Sequence, residues 1–294
     1  MKAFAIAAAA LLVLIVPGWA QAPVSKQVEV FGQKIHYLEA GAGPNVILLH
    51  GLGGDSSNWT ATTPALASKF HVWVPDQIGF GASDKPLIHY RVTTLVDFLE
   101  GFCKKVGIDK ATVVGNSLGG WTAMAFTLAH PERVEKLVLV DSAGYSFEKT
   151  GSPKPTKQVM EGLNPSTVEG SKAVMGIIFA NKGFATQASA EALFAAHLKK
   201  NDGYTIDQFI DSILRGEDFL DGKLGAIKAP TLVLWGRADM LTPLAAGQMF
   251  AKDIPGAQIA ILDNCGHVPQ IECAGPFNST LLRFLQTGSA DSSR

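Results

Sequence analysis

Ala111-Thr-Val-Val-Gly-Asn-Ser-Leu-Gly-Gly120 is a short apolar run that breaks into a Gly-x-Ser-x-Gly. Ala111 to Val114 reads as a buried strand, and Trp121-Thr-Ala-Met-Ala-Phe-Thr-Leu-Ala-His130 reads as a helix. Only Gly115 to Gly119 is left for the turn between them. A turn that tight forces its central residue, Ser117, into a strained backbone conformation. Gly115 and Gly119 flank it because side chains there would collide with the adjoining strand and helix. This is the pattern of a nucleophile elbow. It presents the Ser117 hydroxyl at the top of a sheet, beside a helix N-terminus whose unpaired N–H groups favour negative charge.

Outward from the elbow the strand–helix rhythm repeats. Residues 27–31 and 34–39 alternate in polarity and read as an edge hairpin joined by Gly32-Gln33. Asn45-Val-Ile-Leu-Leu-His50 is a continuous apolar strand, as expected where helices cover both faces, and it runs into His50-Gly51-Leu52-Gly53-Gly54. A helix is expected over 57–69, a strand over 72–75, a glycine-rich loop from Asp76 to Asp84, and a helix over 92–106. After the elbow comes the strand Lys136-Leu-Val-Leu-Val-Asp141. From about Ala143 to Gly225 the alternation stops, and apolar residues at helical spacing (Val174, Ile177, Ile178, Phe209, Ile210, Ile213) follow the linker-like Ser152-Pro-Lys-Pro155. It resumes with strands at 231–235 and 258–262 and helices near 244–252 and 276–285. The reading is an α/β fold: a mostly parallel central sheet with helices on both faces and an inserted helical cap. The core is assigned to 21–143 and 226–294, the cap to 144–225.

The chain has 294 residues, 47% of them apolar and 17% charged, a composition that excludes a disordered chain. A net charge of −1 gives no basic footprint for nucleic acid. The seven histidines are scattered without metal-ligand spacing, and no cofactor is called for. Met1-Lys2 followed by the apolar run Ala3–Val16 and small residues at Gly18 and Ala20 reads as a signal peptide over 1–20, too short for a membrane span. An exported, periplasmic or secreted, enzyme is therefore expected. Export would put Cys103, Cys265 and Cys273 in an oxidising space. Three is odd; whether Cys265 and Cys273 pair is left open.

A serine hydroxyl is a poor nucleophile until a base takes its proton, and the base needs an orienting acid. Gly236-Arg237-Ala238-Asp239 and Asn264-Cys265-Gly266-His267 each follow a strand, giving the chain order Ser117, Asp239, His267. Asp141, also at a strand end, is a rival acid; His50 is a rival base; Asp76 reads as a loop or cap residue. Together, His50-Gly51, Gly115-Asn-Ser-Leu-Gly119, Trp235-Gly-Arg-Ala-Asp239 and Gly266-His267 resemble the α/β-hydrolase superfamily, and within it the capped serine hydrolases that include esterases and meta-cleavage-product (carbon–carbon bond) hydrolases. The resemblance implies Ser117 as nucleophile, His267 as base and Asp239 as acid. It implies an oxyanion hole from the backbone N–H groups of Leu52 and Leu118, and His50 as support for that loop. Two departures weigh against carbon–carbon hydrolysis: Gly53-Gly54-Asp55 replaces the usual Gly-Pro-Gly, and no basic residue for an acidic substrate end can be placed in the cap. A carboxylic ester or lactone with an apolar acyl or aromatic group is accordingly the first expectation, carbon–carbon hydrolysis the second. A non-catalytic ligand-binding protein on the same fold is the alternative of another class.

Overall fold

The computed structural model describes residues 22–290, so the expected signal peptide lies outside the described residues. Eight strands form one sheet: β1 (Val24–Val30), β2 (Gln33–Ala40), β3 (Asn45–Leu49), β4 (His71–Pro75), β5 (Ala111–Asn116), β6 (Val134–Val140), β7 (Thr231–Gly236) and β8 (Gln258–Leu262), in the order β1-β2-β4-β3-β5-β6-β7-β8. The pairings β1–β2 and β2–β4 are antiparallel; all others are parallel. The β1–β2 turn falls on Phe31-Gly32, one residue earlier than the sequence suggests. Both residues have positive φ (51° and 74°), the conformation of a two-residue hairpin turn that follows strand twist.

Helices follow in chain order: α1 (Thr63–Ala67), α2 (Val92–Val106), α3 (Leu118–Ala129), α4 (Phe147–Thr150), α5 (Lys157–Glu161), α6 (Val168–Ile178), α7 (Gln187–Lys200), α8 (Gly203–Arg215), α9 (Leu244–Asp253), α10 (Pro269–Glu272) and α11 (Ala274–Thr287). The single helix expected over 57–69 is instead a 3₁₀ turn, Ser56–Trp59, followed by the short α1. Asp55 and Asn58 close a capping box around that turn, and Pro64 in the first turn of α1 starts a new helix.

The central strands are buried on both faces. Ile47, Leu49, Val113, Leu139 and Val233 pack with Leu95 and Phe102 of α2, Trp121 and Met124 of α3, and Phe250 of α9. The intervening Val46, Leu48, Val114, Val138 and Leu232 pack on the other side with Trp59, Leu66, Phe277, Leu281 and Phe284. This is why these strands lack polar alternation. The insertion between β6 and β7 is helical, but its helices divide. Met175 on α6, Phe179 just after it and Ala190 on α7 make a small core of their own. Ile206, Phe209 and Ile210 of α8 join the main core, with Phe209 stacked on Phe80 at 5.8 Å.

Candidate active site

Ser117 stands between β5 and α3, capping the helix, with φ 55° and ψ −118°, a conformation L-residues rarely hold. Its surroundings leave no room for side chains. A Cβ on Gly115 would lie 2.1 Å from the Gly119 carbonyl oxygen, and one on Gly119 would lie 2.4 Å from the Leu49 carbonyl oxygen. The Ser117 N–H donates to the Val140 carbonyl, which ties the elbow to β6. Leu118 is the first residue of α3, where N–H groups have no intrahelical acceptor. Gly51 passes so close that a Cβ there would be 3.1 Å from Ser117 Cβ, which places the His50–Leu52 loop against the nucleophile.

Asp239 and His267 meet across the ends of β7 and β8. His267 Nδ1 donates to Asp239 Oδ2 at 2.8 Å, and both residues are buried. Asp239 also accepts the N–H groups of Leu241 (2.8 Å) and Thr242 (3.0 Å) and the Thr242 hydroxyl. Burial pushes its carboxyl up, but the His267 charge and these donors outweigh that and hold it below the ordinary carboxylate value. With Nδ1 occupied, Nε2 is left as the acceptor. Asn116, next to Ser117, donates its amide to the carbonyls of Val140 (3.1 Å) and His267 (3.0 Å), bridging the elbow to the histidine loop. The Ser117 hydroxyl makes no hydrogen bond to His267 among the described residues; both line one cavity.

The rival residues stand elsewhere. His50 is fully buried and outside the cavity lining: its Nδ1 donates to the Gly51 carbonyl and its Nε2 accepts the Gln77 N–H. Burial lowers its pKa, so it stays neutral and braces the Gly51–Leu52 loop. Asp141 is buried with one oxygen on the Gly236 N–H and the other unpartnered within the protein. Burial and the charge of Asp239 raise its pKa well above the ordinary value. Asp76 accepts from His36 (2.8 Å), Ser56 (2.6 Å) and Ala82 (2.8 Å). Burial pushes Asp76 up, but His36, His50 and those backbone donors hold it at about 2. His36 in turn bonds Ser25 at 2.8 Å, a second Ser–His–Asp chain, at the sheet edge.

The cavity over the strand ends has a volume of about 750 Å³. Its wall is mostly apolar: Leu52, Trp121, Met160, Met175, Phe179, Phe219, Met249 and Val268, drawn from the core and the insertion. Phe179 lines it, whereas Phe184 stacks behind Phe179 at 4.6 Å. Lys200 and His197, both on α7, line the wall with His267. Lys200 pairs with Asp55 at 2.8 Å and His197 with Asp202 at 3.0 Å. Cys265 and Cys273 form a disulfide, and Cys103 is free and buried. Sequence reasoning missed Asn116, Thr242 and Glu272 as partners of the site. Asn116 was in view as the residue before the nucleophile, and a polar side chain in a run of apolar and small residues was the available signal.

A family model described as the alpha/beta hydrolase fold matches residues 44–170. A 2-hydroxy-6-oxononadienedioate/2-hydroxy-6-oxononatrienedioate hydrolase of Dechloromonas aromatica (strain RCB) is 32% identical over 86% of this chain and 90% of that protein. Among solved structures, a meta-cleavage product hydrolase from Pseudomonas fluorescens IP01 superposes with a TM-score of 0.80 at 28% identity, over 90% of this chain and 98% of the other. A membrane phospholipase A superposes with a TM-score of 0.78 at 26% identity, over 90% and 86% of the two chains. With a relative this similar along nearly its whole length, on the sheet and elbow described above, the chain belongs to the α/β-hydrolase family and is a hydrolase.

Proposed function

We propose that the protein is a serine hydrolase in which Ser117, His267 and Asp239 act as one unit on a ketone, breaking a carbon–carbon bond of a 2-hydroxy-6-oxo-dienoate type of substrate. The similarity to the dienedioate hydrolase carries this choice and reverses the order that sequence motifs alone suggest, where an ester comes first. Lys200 on the cavity wall, paired with Asp55, supports it, because a dienoate is an anion and a cation at the wall offsets the cost of bringing it into an apolar cavity. In this reading Ser117 Oγ adds to the C6 carbonyl while His267 Nε2 takes its proton. The N–H groups of Leu52 and Leu118 hold the resulting oxyanion. Tautomerisation of the dienol, with the C2 hydroxyl proton moved to C5, precedes this attack, so the C5–C6 bond breaks with its electron pair delocalised through C4 and C3 to the C2 oxygen, which takes the proton from His267. Water, deprotonated by His267, releases the acyl group from Ser117 as a carboxylic acid.

An ester runs through the same attack with an alkoxide as leaving group, so the triad does not discriminate between the two. The apolar wall and the likeness to a phospholipase A favour ester cleavage as the second reading. The test measures kcat/KM for a 2-hydroxy-6-oxo-dienoate, by loss of its visible absorbance, against p-nitrophenyl esters of graded length. The dienoate is expected to be the better substrate; an undetectable dienoate rate beside fast ester turnover overturns the choice. Ser117→Ala and His267→Ala should each lower kcat by about 10⁴–10⁶, and the double variant should be little worse, because triad losses are not additive. A folded Ser117→Ala protein with near-normal turnover removes Ser117 from the mechanism.

We further propose that the chain is exported with cleavage after Ala20, a reading supported by the apolar run Ala3–Val16 and by the Cys265–Cys273 disulfide.

A further inference from the structure

The insertion between β6 and β7 grips the His267 loop on several sides. The His267 N–H donates to the Ile178 carbonyl, at the end of α6, at 2.8 Å. The Gly266 N–H donates to Glu272 Oε2 at 2.7 Å. The same carboxylate accepts from the insertion, taking the N–H groups of Ala180 (3.2 Å) and Asn181 (2.6 Å). Val268 packs against the small core of α6 and α7. Approach is so close that a Cβ on Gly266 would stand 2.5 Å from the Ile178 oxygen. The Cys265–Cys273 disulfide sets Glu272, beside Cys273, opposite Gly266, beside Cys265.

We propose that Glu272 is a positioning residue for His267: its carboxylate clamps the end of α6 to the histidine loop, so that the insertion sets the reach of Nε2 to Ser117. The inference rests on reading His267 as the base. Hydrogen bonds from backbone N–H to a carboxylate are among the stronger ones. A neutral amide keeps one accepting oxygen and turns an NH₂ group against the remaining donors. Since Ser117 and His267 share no hydrogen bond in this structure, the spacing of their two loops is the quantity the clamp controls. Misplacement on the scale of an ångström costs up to about a hundredfold in rate.

A fluorophosphonate tests this without reference to the natural substrate: Ser117 Oγ bonds to phosphorus, fluoride leaves, and the hydroxyl proton passes to His267. Glu272→Gln, with rates normalised to folded protein by circular dichroism, should label at least about tenfold more slowly and lose the same factor in kcat with KM within about twofold. Asn181→Pro deletes one clamped N–H from the insertion side, at a residue whose φ of −78° already suits proline, and should slow labelling in the same direction. A purely structural role would lower Tm without changing the rate of the folded fraction. Unchanged labelling in both variants overturns the clamp and leaves Ser117 standing. A wild-type protein not labelled at Ser117 overturns the catalytic reading and this inference with it.

Discussion

Ser25, His36 and Asp76 are hydrogen-bonded in series, whereas Ser117 has no hydrogen bond to His267. Connectivity therefore does not identify a catalytic serine; the environment does. Ser25 is exposed on the edge strand β1 and lies outside the cavity lining, while Ser117 sits at a strained elbow, at a helix N-terminus, on the cavity wall. The His36–Asp76 pair is a structural tie between β2 and the loop after β4, and its signature is pH-dependent stability. The hydrogen bond to Asp76, opposed by burial, raises the pKa of His36 above 6.5. That contribution is complete below 6.5 and fades as pH rises through the higher folded value. Asp76, lowered from 3.8 to about 2, contributes above 3.8 and loses its contribution as pH falls through about 2. His36→Ala should leave turnover unchanged and lower Tm, with the gap to wild type widest between about pH 4 and 6.5 and narrowing at alkaline pH. A gap that is the same at every pH, or a large loss of turnover, contradicts this assignment.

The elbow shows how an element enforces a residue's geometry. The tightest of its predicted clashes are between backbone atoms and an added Cβ, so no rotamer change relieves them. Gly115→Ala should cost about 3 kcal/mol or more, the upper range for overpacking, and abolish turnover. Gly176, inside α6 with nothing within 4 Å of its Cβ position, is the control. There alanine should be neutral or stabilise by up to about 1 kcal/mol. Thermal melts of the two variants decide the matter; equal effects would mean that the elbow is not under the constraint described. The contrast also explains what was legible in the sequence. The elbow, the parallel strands and the loops bearing Asp239 and His267 are local patterns of period and turn chemistry, and they read correctly. The break of 57–69 into a 3₁₀ turn and α1 depends on a capping box that competes with helical periodicity. Glu272 was not readable as a site residue, because two of its partners, Ala180 and Asn181, lie 92 and 91 positions away and offer only backbone N–H groups. The insertion supplies Phe179 to the cavity wall and also holds the backbone of His267.

At the scale of the whole molecule, the fold and the proposed compartment are linked through one covalent bond. Cys265 and Cys273 are eight positions apart, and their disulfide closes the loop that carries Gly266 and His267. A bond of this kind persists in an oxidising space and is rare in the cytosol. Loop closure over so few residues stabilises by about 2–3 kcal/mol on the chain-entropy account. For a chain of this size that corresponds to roughly 4–10 °C in Tm. Protein recovered from the exported fraction should begin at Gln21 by mass spectrometry and, once denatured, should titrate one thiol, Cys103, rising to three after reduction. Reduction should lower Tm by that amount and slow turnover, since the loop it loosens holds the proposed base. Cys103 should not contribute to the change: burial pushes its thiol up to about 12, which leaves it protonated and unreactive. Three titratable thiols in unreduced exported protein, or a chain that retains Met1, would separate the fold from the compartment and leave the disulfide without a role in either.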